Sequence, residues 1–225
     1  MTRSFRIALC VFLLLFCFGC EEKKESNATK SDSKELLYLN HSDSARYTGM
    51  QTCRQCHADI YNSFIRTGMG SSFDTASAEK TAADFKTASI YDKHKDLHYS
   101  ATKNEDLLLI HEYRLEGKDT VHKRTEQINY IIGSGQHTNS HLYAVNGFIY
   151  QMPMTFYTQK QKWDLPPGFE NGMNTRFSRK IGIECMSCHN AFPEFDQGSE
   201  NRYKKVPKGI DCERCHGPGS IHVNQ

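Results

Sequence analysis

Cys53-Arg54-Gln55-Cys56-His57 sets a pattern that the chain repeats twice, as Cys185-Met186-Ser187-Cys188-His189 and Cys212-Glu213-Arg214-Cys215-His216. Two thiols separated by two residues and followed at once by an imidazole form the arrangement that attaches c-type haem. The thiols add across the two vinyl groups of one porphyrin, so both must lie on one short turn. The histidine then stands under the iron and supplies the proximal nitrogen. On this reading Cys53, Cys56, Cys185, Cys188, Cys212 and Cys215 are thioether anchors, His57, His189 and His216 are proximal ligands, and the cofactor is three covalently bound haem c. Cys-x-x-Cys pairs also build zinc sites and redox dithiols. Zinc usually takes two pairs per ion, which three pairs do not satisfy, and zinc gives no reason for a histidine after every pair.

Outward from the motifs, residues 1–20 read MTRSFRIALCVFLLLFCFGC. Arg3 and Arg6 precede a short apolar run from Ile7 to Phe18, the pattern of an export signal. The run is shorter than the roughly 20 residues a spanning helix needs. Its end, Cys17-Phe18-Gly19-Cys20, resembles a bacterial lipoprotein signal, with Cys17 where such signals usually carry leucine. The resemblance implies lipidation at Cys20 and an exported chain that faces the periplasm or outer membrane, or the cell surface. Of nine cysteines, three fall in this segment and six in the motifs, so none remains for a structural disulfide. Loss of residues 1–19 takes the 28 basic residues to 26 against 26 acidic ones. A neutral chain without a basic patch does not point to nucleic acid. Residues 21–45 are charged and Ser/Lys-rich, which predicts a flexible tether spanning about 25–30 Å.

Residues 46–225 remain as the folded part. After the first motif, Ile60, Phe64 and Ile65 keep helical spacing, which predicts a helix from the motif to about Thr67, stopped at Gly68. The period then changes. Strands are expected at 98–102, 107–114, 120–123, 127–132, 141–145, 148–152 and 155–158, with the Asn146-Gly147 hairpin the strongest turn signal. The expected fold is α+β with little regular structure around the haems. Haem-bearing helices and loops flank an antiparallel β-meander at about 97–160, with a first haem site at 46–73 and paired haem sites at 181–222.

The stretch around the first motif, Tyr130-Ile131-Ile132-Gly133-Ser134-Gly135-Gln136-His137, Tyr150-Gln151-Met152-Pro153, Trp163-Asp164-Leu165-Pro166-Pro167-Gly168-Phe169 and the ending Cys215-His216-Gly217-Pro218-Gly219-Ser220-Ile221-His222 together resemble multihaem c-type cytochromes of the cytochrome c-554/c-552 type. The resemblance runs from about Tyr47 to the last residue. It implies distal ligands, for which His222, His137, Met69 and His141 are the candidates. Met69 stands where the family usually carries a histidine. Six residues separate His222 from His216, too short a path to reach round to the same iron with ease, so a neighbouring haem, such as that on Cys185 and Cys188, is expected for it.

Two functions follow. The first is electron transfer: a lipid-anchored carrier between a redox protein donor and acceptor, with six-coordinate irons. The second is catalysis on a small nitrogen-oxide-type substrate. That needs one open iron and proton donors such as His137, His141, Tyr143 or Arg176. Electron transfer is the primary reading.

Overall fold

The computed structural model describes residues 38–105 and 107–225. The export signal, Cys20 and most of the tether lie outside the described residues. Twelve strands run in chain order: β1 (Phe73–Thr75), β2 (Ser89–Asp92), β3 (Leu97–Asn104), β4 (Leu107–Glu116), β5 (Asp119–Gln127), β6 (Tyr130–Ile132), β7 (Thr138–Val145), β8 (Phe148–Tyr157), β9 (Lys162–Asp164), β10 (Arg179–Lys180), β11 (Glu194–Phe195) and β12 (Tyr203–Lys205). The helices are short: α1 (Met50–Arg54), α2 (Ala58–Phe64), α3 (Ile183–His189), α4 (Glu213–His216) and α5 (Ser220–Val223).

The expected α+β fold, with little regular structure around the haems and haem-bearing helices and loops flanking a β-meander, is therefore corrected. Antiparallel sheets in a sandwich-like arrangement make up the regular structure, and the meander is part of it. One sheet is the meander β2-β3-β4-β5. A second has the order β1-β6-β7-β8-β10, with β9 also on β8, and β11-β12 form a small hairpin. Strand alternation places Leu97, Tyr99, Ala101, Leu108 and Ile110 of the first sheet inward. They join Ile131, Met152, Met154, Phe156 and Trp163 of the second in one core. The opposite face of the second sheet carries Phe73, Leu142 and Ile149 against Met186 of α3 and Tyr203 of β12. The second sheet is thus covered on both faces, which explains why β8 is apolar nearly throughout.

β8 also corrects the two separate strands expected at 148–152 and 155–158. Pro153 reads as a break because it lacks an N–H. The strand continues because a register shift opposite Ser140/Leu142 places Pro153 where no ladder bond is required. The expected hairpin turn is present: Asn146 and Gly147 have φ of 52° and 84°, the pair of left-handed residues a two-residue hairpin needs. Gly147 has a second reason to lack a side chain, since a Cβ there would stand 2.9 Å from Tyr203 O.

Candidate haem-binding site

The first motif is split between two helical turns. α1 ends at Arg54 and α2 begins at Ala58, with His57 between them at φ −115° and ψ 45°. His57 N donates to Cys53 O, and Tyr61 N donates to His57 O, so the chain turns without losing its bonds. α2 stops at Phe64, short of Thr67. The backbone then folds back so tightly that a Cβ on Gly70 would lie 2.8 Å from Ile65 Cα. The second motif is α3 itself, anchored by the fully buried Met186. Within the third motif, α4 starts directly after Cys212.

The three motifs are tied to one another by the residues between and beside their cysteines. Glu213, 3% exposed, accepts from Thr48 N at 2.9 Å and Gly49 N at 2.6 Å, just ahead of the first motif. Arg214 Nη2 donates to Ser187 O of the second motif at 2.5 Å, and its guanidinium lies over Phe192. Phe192 in turn packs on Tyr47 at 4.2 Å between ring centroids. Ser72 Oγ donates to His189 O at 2.8 Å. The Cys53 thiol lies near enough to Cys212 to add to the upward shift of the Cys212 thiol. A cavity of about 770 Å³ opens among these flanks, lined by Tyr47, Gly49, Tyr61, Phe192, Asp211 and Glu213. Residues 38–45, at the end of the expected tether, carry a 3-10 turn at Leu39–His41, and Asn40 Nδ2 donates to His216 O at 2.6 Å.

The candidate distal residues occupy different places. His222, on α5, faces His57: the ring centroids are 6.2 Å apart and the planes 16° from parallel. The partner expected for His222 was a haem other than its own motif's, with the second motif as an example. The ring it approaches belongs to the first. Met69 is 52% exposed, and its carbonyl accepts from Ile210 N close to the third motif. His137 is exposed and accepts from Gln159 Nε2 through Nδ1 at 2.7 Å. His141 is fully buried beside Trp163. Its Nδ1 donates to Met154 O at 3.1 Å within the β8 irregularity, and Nε2 has no partner. Arg176 and Tyr143 lie with the first core. Arg176 grips the buried Glu112 in a two-pronged ion pair, and Tyr143 donates to Phe177 O.

The thiols bear on the choice between chemistries. Burial pushes the Cys53 thiol up, with the Glu213 charge adding to it. Burial also raises Cys185, helped by Glu184, and Cys212, helped by Cys53. A redox dithiol depends on the opposite shift. Among the described residues, no group of three or more His, Cys, Asp or Glu side chains gathers closely enough to hold a metal ion directly.

The residues fit haem. Large apolar side chains are exposed beside the motifs, as they also are elsewhere on the surface. Ile60 is 65% exposed three residues after His57, and Met69, Ile183 and Val223 are exposed as well. An apolar porphyrin on each motif would cover such a surface.

Residues 159–217 match the family described as cytochrome c554 and c-prime, a span that contains the second and third motifs. No curated protein and no solved structure matches the chain. The match supports a c-type cytochrome family, with haem c covalently held and electron carriage as the associated role. Glu213, the residue that joins motifs one and three, was not legible beforehand. Either position between the cysteines accepts many residue types, and only the fold shows what this carboxylate reaches.

Proposed function

We propose that this chain is a triheme c-type cytochrome that passes single electrons between partner redox proteins, held at a membrane by a lipid on Cys20. The observation that carries the reading is the His57–His222 pair. Their ring centres lie 6.2 Å apart, and these two imidazoles would hold one iron. Among the described residues neither ring is spent on a hydrogen bond. Bound haem c supplies an iron that exchanges one electron and stays attached to the chain.

The side chains suit a carrier. His57 and His222 would hold one iron from both sides, so its coordination changes little on reduction. Glu213, Arg214 and Ser72 keep the three motifs in one body, which holds the distances between them constant. Two of the proton donors an enzyme could use are engaged elsewhere, Arg176 with Glu112 and Tyr143 with Phe177 O. The membrane attachment proposed is the lipid on Cys20; among the described residues no helix is long and apolar enough to cross a membrane.

Full-length protein matured in a host that attaches haem c tests this. Three haems per chain, a Soret band in the reduced state that carbon monoxide leaves in place, and release from the membrane fraction by Cys20→Ser are expected. Fewer than three haems overturns the triheme reading. A carbon monoxide response from one haem or more would favour the enzyme.

A further inference from the structure

We propose that Glu213 is the positioning residue that holds His222 opposite His57. The inference rests on the proposed pairing of these two histidines on one iron. α5 has four residues, too few to be stable as an isolated helix, so tertiary bonds must fix where His222 stands. Those bonds converge on Glu213. Its carboxylate accepts from Gly219 N at 2.8 Å, three residues before His222. It accepts from Thr48 N at 2.9 and 3.1 Å and from Gly49 N at 2.6 Å, four residues before Cys53. Thr48 Oγ1 adds a donor at 3.3 Å. One buried side chain thus joins the approach to the first motif to the turn that carries its facing histidine. A second pair of bonds runs alongside, Arg46 N to Ser220 Oγ at 2.8 Å and Ser220 N to Arg46 O at 3.1 Å.

A carboxylate is the group this place requires. It offers two oxygens and no hydrogen, and every neighbour within reach is a donor. Glutamine keeps the length but turns an NH2 toward backbone N–H groups, leaving buried donors without partners. Aspartate keeps the charge but is one methylene shorter. Neither substitute can serve Thr48, Gly49 and Gly219 together, so the α5 turn would draw away from His57.

The test uses full-length, haem-loaded protein with Glu213→Gln, Glu213→Asp and His222→Ala. The readouts are the carbon monoxide difference spectrum of the reduced protein and the ferric EPR spectrum. Glu213→Gln is expected to give one haem's share of the Soret band a carbon monoxide response and a matching high-spin ferric signal, with the other two haems unchanged. Added imidazole should return that signal to low spin, which general destabilisation would not allow. Glu213→Asp should show the same change at smaller amplitude, and it carries the test if Glu213→Gln does not accumulate. His222→Ala must open the same iron. If it does and both Glu213 variants stay closed, the positioning role is overturned. If His222→Ala leaves the spectra unchanged, the histidine pairing has failed and the Glu213 proposal falls with it.

Discussion

The rings of His57 and His222 lie 16° from parallel across a 6.2 Å gap. Were these two imidazoles to hold one iron, as proposed, their near-parallel planes would act on the same iron d orbital and split it strongly from its neighbour. The ferric protein should therefore give one rhombic low-spin EPR signal that disappears in His222→Ala. A signal of the highly axial type produced by perpendicular rings would contradict this geometry.

The Cys53 thiol adds to the upward shift of Cys212, so the anchors proposed for the first and third haems are neighbours. Two irons held close together there, as proposed, would feel each other's charge. Reduction of one should make reduction of the other harder. A spectroscopic redox titration should then be broader than the sum of independent one-electron steps. Sharp, independent waves would show that the two sites do not communicate.

Arg176 and His122 both bond the fully buried Glu112. Burial alone would raise the Glu112 carboxyl, but the bonds from Arg176 and His122 overcome it and hold the group below its usual range. Arg176→Ala leaves the carboxylate without its main partner, at a cost of about 3 kcal/mol. The expected result is a drop in the urea midpoint, with haem content unchanged because the pair belongs to the sheet core. Arg176→Lys should recover only part of it, since an ammonium cannot bond both oxygens in parallel.

His141 is buried, and burial lowers its pKa to about 4. Its folded value lies below the ordinary value of 6.5, so the unfolded chain takes up a proton first as pH falls. The neutral ring's contribution is complete above pH 6.5 and is lost between about pH 6.5 and 4, reaching about 3 kcal/mol. Below pH 4 the loss is constant. Urea titrations across this range should show that slope in the parent and a flatter one in His141→Asn, which keeps a donor for Met154 O. Equal slopes would mean that another group titrates.

Much of the chemistry was legible in local sequence. Attachment of a porphyrin depends on residues within one turn, so Cys53 to His57 and its two repeats point to it without a fold. The Asn146-Gly147 hairpin was readable for the same reason, because left-handed φ values restrict which residues can occupy it. The strands expected at 148–152 and 155–158 are one, because the opposing register shift leaves Pro153, which lacks an N–H, no ladder bond to lose.

The sequence by itself determined where the three Cys-x-x-Cys-His motifs lie and which histidine follows each thiol pair, because the whole pattern is contained in five residues. Only the tertiary structure decided what faces His57. His222 arrives from the other end of the chain, and its place depends on a four-residue helix held by Glu213, Ser220 and Arg46. Bonds of that kind join distant segments through packing and backbone amides, which every residue possesses, so no residue type marks them in advance.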